Sequence, residues 1–286
     1  MNEAKVQKVI ERLELLRKKS ERYSNLTLFL MLATIISPLF LCPDTGKCLM
    51  AYGIGIVAAI MAAAKSSKYY NFYRQFYKNV FVKEMLKEKF ENIQYEWKHG
   101  FTGPELYNSK LLKFDGHLTE DYLKASYQGV VFEQVDVRHF TSHGKYARID
   151  FRGKIMKFRA FPVSTSGVWI YTKNVKSTAR YYEKARKWVM VNDNEFSKIF
   201  DVYACKEADV ERILTSQFKE KLLALSEKCE AFGMSFHGSI LHVGIHTPRD
   251  TFDVDVNIKK VDYDEEVMKV RKDVEDMAEL IELLEK

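Results

Sequence analysis

The sequence predicts an α+β protein: an N-terminal transmembrane helical hairpin, then a cytoplasmic domain with an antiparallel sheet and one long helix, with heptad-patterned helices at both ends. Two apolar runs without acidic or basic residues, 26–41 and 49–64, predict the hairpin. Short runs rich in β-branched and aromatic residues, followed by one amphipathic stretch, predict the sheet and its helix. The predicted segments are a basic cytoplasmic helix (1–25), the hairpin (26–64), a juxtamembrane aromatic and basic helix (65–96), the α+β domain (97–258) and an acidic helix (262–286).

The hairpin rests on length, composition and a packing pattern. Each apolar run covers about 24 Å as a helix, against a hydrocarbon core of ~30 Å. The second run carries a small residue at every fourth position, which permits close helix packing in lipid. These helix-packing residues are Ala51, Gly55, Ala59 and Ala63. We expect them to contact the first helix or a second copy of the chain. A helical hairpin buried in a soluble protein is the alternative, because both runs are short for a span.

The distribution of basic residues predicts the orientation. Both flanks of the hairpin are rich in Lys and Arg, whereas the connector at 42–48 holds only Lys47. The positive-inside rule therefore places both termini in the cytoplasm and the connector outside. Cys42 and Cys48 then face an oxidising compartment, where they either form a disulfide or remain two free thiols. Cys205 and Cys229 are interpreted as reduced core thiols.

Two basic and aromatic segments are candidates for contact with anionic lipid headgroups. The first follows the hairpin and contributes Lys65, Lys68, Arg74 and Lys78. The second contributes Arg180, Lys184, Arg186 and Lys187, and is expected to form loop and helix. The alternatives are that the aromatic residues of the first segment pack on the globular domain and that the second is an ordinary solvated face. No basic stripe with the aromatic pattern of a nucleic-acid site is present, so we expect no nucleic-acid partner.

Heptad-like spacing marks both ends of the chain. The N-terminal repeat is basic and the C-terminal repeat is acidic, although the formal net charge is only +6. The two helices could form a coiled coil with each other, or each could pair between subunits. Alternatively, each packs separately on its own domain. Self-association through the hairpin or the heptads is therefore expected, and the protein partner is unknown.

Local patterns predict the elements of the domain. Two strands are expected to join near Gln128 and Gly129, and further strands at 147–161, 167–173 and 196–204. Residues 209–228 have the apolar spacing of a single amphipathic helix. Residues 234–246 are expected to form a final hairpin.

Three stretches carry a resemblance to a known family. They are TEDYLKASYQGVVFEQVDV, FRGKIMKFRAF and the region that begins DNEFSKIFDVYA. The chain from about the hairpin to Phe252 resembles the bacterial family catalogued as domain of unknown function 3137. The resemblance implies two membrane helices near the N-terminus, a following Tyr-Arg-rich helix and this soluble domain, in the bacterial plasma (inner) membrane. It implies no activity, and therefore no catalytic residue.

Histidines provide the one candidate for metal chemistry. His242 and His246 would point to one face of a strand, with carboxylates close behind, and two imidazoles plus a carboxylate can hold a metal ion. Solvated or hydrogen-bonded histidines are the alternative. No G-x-S-x-G, P-loop, G-x-G-x-x-G or H-E-x-x-H motif occurs, so we expect no catalytic residues and no cofactor.

The sequence therefore favours a membrane-anchored cytoplasmic binding or scaffolding module without catalysis. A metal-dependent enzyme that uses the His242 region is one alternative. A small transport or channel component is the other, although neither apolar run holds the acidic or basic side chains that such functions use.

Overall fold

The structure is a computed structural model that describes residues 3–41, 45–113, 116–143, 146–159, 161–176, 179–247, 252–253 and 262–285. The chain divides into two compact units. The helical unit comprises Met1–Met85 and Asp253–Lys269, and the sheet unit comprises Leu86–Phe252 and Val270–Lys286. The mixed α and β composition predicted from the sequence is confirmed.

Two long antiparallel helices form most of the helical unit. Helix α1 spans Glu3–Leu41 and helix α2 spans Thr45–Phe76. The second continues as a π-helix at Tyr77–Val82 and a last α-helical turn, α3, at Lys83–Leu86. The helical region thus ends at Leu86 and does not continue to residue 96 as the sequence predicted. The helix ends in a turn at residues 87–89, and the last six residues of the predicted helix, Glu91–Glu96, form strand β1.

Small and aromatic side chains hold α1 against α2. The Ser20 hydroxyl donates to the Ser66 carbonyl, and the Ser66 hydroxyl donates back to the Ser20 carbonyl. One turn away, the rings of Tyr23 and Tyr69 stack with centroids 5.5 Å apart. These reciprocal contacts fix the register of the two helices.

Within the described residues, nine antiparallel strands form one sheet in the order β1-β2-β3-β4-β9-β8-β5-β7-β6. After β1, the strands are β2 Gly116–Tyr127, β3 Val130–His143, β4 Tyr146–Arg159, β5 Thr165–Thr172, β6 Lys187–Val189, β7 Phe200–Ala204, β8 Phe232–Gly238 and β9 Ile240–His246. The predicted antiparallel sheet is confirmed. So is the turn between β2 and β3, where Gln128 and Gly129 both have positive φ, as a tight hairpin turn requires.

Short helices and one long helix complete the sheet unit. They are α4 Gly103–Asn108, α5 Asn194–Ile199, α6 Glu207–Ile213, α7 Ser216–Lys228 and α8 Tyr263–Glu285, whose first turns belong to the helical unit. The single helix expected at 209–228 is interrupted. Thr215 adopts an extended conformation and its hydroxyl accepts the Phe218 N–H, so it caps a new helix.

Both faces of the sheet are covered. On one face Phe218 of α7 packs edge-on against Phe236 of β8. On the other, Leu106 and Leu111 join Val135, Ile155 and others in a buried apolar cluster. Alternation along the strands sends neighbouring residues into these two layers.

Candidate functional site

A wide band of exposed apolar side chains surrounds the paired helices. We call it the apolar belt, and its members are Leu26, Leu28, Phe29, Met31, Leu32, Ile35 and Ile36 of α1 and Leu49, Met50, Ile54, Ile56, Val57, Ile60 and Met61 of α2. Ile54 is 72% exposed and Met50 is 74% exposed. No Asp, Glu, Lys or Arg occurs in 26–36 or 49–64. Contiguous apolar surface of this kind marks a binding or membrane surface.

One helical stretch of the described residues, Leu49–Leu86, is long and apolar enough to cross a membrane, and only 11% of its most apolar part is buried in the protein. A core helix of a soluble protein would bury most of that part. The other apolar run, 26–41, extends beyond the side chains that the structure describes, which stop at residue 36 on this helix. Membrane association thus has support from one helix.

The small residues of α2 divide between two environments. Gly55 faces α1, where a Cβ atom would lie 2.2 Å from the Thr34 hydroxyl oxygen. Ala59 is buried, whereas Ala51 and Ala63 are exposed. The close approach of the helices therefore involves Gly55 and Ala59. Contact of Ala51 and Ala63 with a second copy stays a prediction.

The basic residues after the belt do not share one role. Lys65 and Lys68 are exposed, and Lys65 lies over the ring of Tyr23 at 5.4 Å. Arg74 and Lys78 were expected to face lipid; the structure corrects this for Lys78, whereas lipid contact of the partly exposed Arg74 stays a prediction. Both pair with Asp253, and the Lys78 side chain is completely buried at 2.7 Å from that carboxylate.

This ion pair belongs to a buried polar cluster of the helical unit. Burial favours a raised pKa for Asp253, but the hydrogen bonds and charges of Lys78 and Arg74 outweigh it and lower the pKa. The Tyr77 hydroxyl donates to Glu266 at 2.7 Å, and the Tyr263 hydroxyl donates to Glu14 at 3.3 Å. The start of α8 is thereby fixed to α1 and to the π-helical segment.

The basic segment of the sheet unit has a structure different from the expected loop and helix. Its described residues form no α-helix and end in the edge strand β6. Arg180 is buried and its guanidinium pairs with the Asp201 carboxylate at 2.7 Å. The same guanidinium donates to the Thr172 and Val175 carbonyls and lies over the Tyr171 ring. Its predicted lipid contact is therefore wrong.

A second arginine of the same basic segment, Arg186, packs against an aromatic ring. The guanidinium of Arg186 lies 4.0 Å from the Tyr203 ring centroid, so this group also turns toward the protein. Lys184 and Lys187 remain exposed, as do Tyr182 and Trp188. Lipid contact of these two lysines stays a prediction.

The structure does not bring His242 and His246 together. Both lie on β9, and four residues of extended strand separate their Cα atoms by about 13 Å, with side chains perpendicular to the sheet. His246 packs edge-on against Phe151, whereas His242 is buried beside Lys157 and Ser235. Among the described residues, no group of three candidate metal ligands includes either histidine. A metal site here stays a prediction.

Burial sets the protonation state of His242. Its Nδ1 atom has no hydrogen-bond partner among the described residues, and the side chain is 6% exposed. Burial, with a smaller contribution from the Lys157 charge, lowers its pKa to about 3. The ring is therefore neutral at physiological pH.

The cysteines fall in different parts of the chain. Cys42 and the side chain of Cys48 lie outside the described residues, so their disulfide stays a prediction. Cys205 and Cys229 are free thiols and half-buried. Burial raises the pKa of both thiols, so neither is poised as a nucleophile.

Sequence reasoning missed a groove in the sheet unit, between α7, α8 and the strands β4 and β9. The heptad spacing of α8 identified its apolar stripe, but gave no sign that the stripe would border a groove.

Comparison with known proteins finds one matching family model. The family model described as "Protein of unknown function (DUF3137)" matches residues 149–286. The match begins in β4 and includes α8, whereas the resemblance seen in the sequence began near the hairpin and ended at Phe252. No curated protein matches the chain.

The chain is also similar to a solved structure, the crystal structure of the mycobacterial trehalose monomycolate transport factor A, TtfA, with 10% identity and a TM-score of 0.39. The alignment covers 71% of this chain and 93% of that chain. A TM-score this low carries no argument about fold or function. The family match confirms the resemblance seen in the sequence: residues 149–286 of this chain match the model of the family described as proteins of unknown function, DUF3137.

Proposed function

We propose that this chain is a membrane-anchored binding or scaffolding module, in which α1 and α2 cross the bilayer and the sheet unit carries the binding surface in the cytoplasm. The apolar belt is the observation that carries this proposal. Its side chains are more than 40% exposed on both helices, and no charged residue interrupts them. Water is a poor solvent for such a surface, at roughly 25 cal/mol for each Å² of apolar area.

The surroundings of the belt favour a bilayer over a second protein as its solvent. The stacked rings of Tyr23 and Tyr69 lie at one end, with Lys65 over one ring and Lys19 over the other. Aromatic rings and lysines at the border of an apolar zone suit the headgroup region of an anionic membrane. Lys68 extends the same basic border.

The proposed location is the bacterial plasma (inner) membrane, with two spans and with both termini in the cytoplasm. Basic residues before residue 26 and after residue 64, against the single Lys47 of the connector, support this orientation. Self-association through the hairpin or the terminal heptads is part of the proposal.

Extraction of cell membranes tests the anchor. We expect the chain to stay in the pellet through alkaline carbonate and high salt, and to dissolve only in detergent. Release by carbonate would show that lipid does not surround the belt. A peripheral protein held by basic residues alone would leave the membrane in high salt.

Cysteine labelling in intact cells tests the orientation. After reduction, a membrane-impermeant maleimide should label Cys42 and Cys48 and should leave Cys205 and Cys229 unlabelled until the cells are opened. Labelling of all four cysteines in intact cells would place the sheet unit outside and overturn the cytoplasmic assignment.

A further inference from the structure

The sheet unit has a groove of ≈ 560 Å³ between α7, α8 and the strands β4 and β9. This volume lies within the range of about 300–1,000 Å³ that small-molecule sites occupy. Its apolar lining comes from Met156, Leu225, Ile245, Met277, Leu280 and Leu283. Four of the six are nearly completely buried, so the walls are fixed by the core.

Charged residues surround this apolar lining with an excess of acids. The lysines are Lys154, Lys228 and Lys272, and the acids are Glu230, Asp273, Asp276 and Glu279. Two of these groups are buried, Lys154 at 6% exposure and Asp273 at 8%. Asp136 lies directly across from Lys154 in the β3–β4 ladder and is also buried, which adds a further negative charge on the same face.

The rim of the groove has one ion pair. Lys228 at the end of α7 bonds Glu279 of α8 at 2.5 Å, and both side chains are more than half exposed. An exposed pair of this kind contributes little stability, so it does not close the groove firmly. Cys229, next in the chain, lines the groove and reports on its occupancy.

We infer that this groove binds a small organic cation, with an apolar body against the leucine and methionine walls and an ammonium group among the acids. With four acids against three lysines in the lining, the groove favours a cation over an anionic amphiphile, and a neutral molecule would not gain the ionic attraction. A ligand cation in a partly buried site interacts with carboxylates more strongly than in water.

This inference rests on the proposed binding role of the sheet unit and names its ligand class. It does not depend on membrane insertion, which carbonate extraction tests separately. Failure of the ligand test therefore leaves the anchor standing, and failure of the anchor leaves the groove to be tested.

Protection of Cys229 from alkylation tests the inference. The full chain in nanodiscs is treated with N-ethylmaleimide alone, with octylammonium, with octanoate or with octanol, and the labelling rate of each cysteine is followed by peptide mass spectrometry. We expect octylammonium to slow the alkylation of Cys229 severalfold. Cys205, also partly buried and outside the groove lining, should keep its rate and is the internal reference.

Two variants locate the effect. Leu283→Trp fills the groove and should abolish the protection, whereas Leu284→Trp, at a half-buried neighbour outside the lining, should retain it. If Leu283→Trp does not fold, Asp276→Lys at an exposed rim position replaces it and should weaken the protection. No protection by octylammonium, equal protection by octanoate or octanol, or protection that survives these lining variants would overturn the inference.

Discussion

The helical unit and the sheet unit differ in how much contiguous apolar surface they expose. In the helical unit, Ile54 and its neighbours are exposed, while Lys78 is fully buried against Asp253. In the sheet unit, Trp169 and Tyr171 are fully buried, while the lysines near β6 are exposed. The exposed apolar surface of the helical unit is what the proposed membrane anchor requires, with lipid around α1 and α2 and water around the sheet unit.

A large-to-small substitution in the buried core of the sheet unit should give the largest effect, a loss of stability. Trp169→Ala removes a side chain with no exposure, whose indole N–H donates to the Lys110 carbonyl at 2.6 Å. We expect the free energy of unfolding of the sheet unit to fall by about 3–5 kcal/mol. Denaturation followed by circular dichroism measures it. Trp188→Ala, at a 59% exposed position, is the control and should change it by about 0.5 kcal/mol or less.

A charged residue introduced into the apolar belt should give the next largest effect, a loss of membrane insertion. Ile54→Lys should cost about 3 kcal/mol if the side chain lies in the hydrocarbon, because a lysine near the centre of a membrane helix is strongly disfavoured. The fraction of chain that resists carbonate extraction is the readout, and it should fall. Met190→Lys, at a 77% exposed position of the sheet unit, should leave it unchanged. Equal behaviour of the two variants would remove the contrast between the units.

Removal of the buried Lys78 side chain tests how much its ion pair stabilises the helical unit. Lys78→Ala leaves the Asp253 carboxylate paired with Arg74, whose Nη2 atom lies 3.3 Å away, and should destabilise the helical unit by about 2 kcal/mol. Thermal unfolding of the full chain in nanodiscs measures the change. The exposed Lys68 provides the matched control, and Lys68→Ala should be nearly neutral. Equal effects of both substitutions would mean that burial of Lys78 contributes nothing.

Acid should weaken the sheet unit through His242. The folded pKa of about 3 lies below the unfolded value of about 6.5, so the unfolded chain binds the proton first as the pH falls. Stability is therefore complete above about pH 6.5, and about 1–2 kcal/mol is lost by pH 5. Denaturation at pH 7 and pH 5 measures this, and His242→Asn should reduce the dependence, leaving the part due to His237, whose pKa burial lowers to about 4. His99→Asn, at an exposed position, should not.

Local patterns predicted the parts of this fold that depend on neighbours in the chain. Uncharged runs identified the apolar parts of α1 and α2, and the Gln128–Gly129 pair identified a turn that needs positive φ. The break between α6 and α7 also has a local cause, the Thr215 cap, but the apolar spacing continues through it and hid the break.

Contacts between distant residues were beyond sequence reasoning. Lys78 and Asp253 look like ordinary solvated charges, and only the folded chain brings them within 2.7 Å. Arg180 belongs to a basic run, and its pairing with Asp201 depends on how the loop after β5 crosses β7.

The most direct test of the account compares two equally exposed positions, Ile54 at 72% and Tyr182 at 73%. Each is replaced in turn, as Ile54→Cys and Tyr182→Cys, and opened membranes are treated with a water-soluble maleimide. A bilayer around the belt predicts rapid labelling at position 182, and labelling at position 54 only after the membrane is dissolved and the protein unfolded. Equally rapid labelling at both positions in intact bilayers would show that water reaches the belt, and would contradict the account.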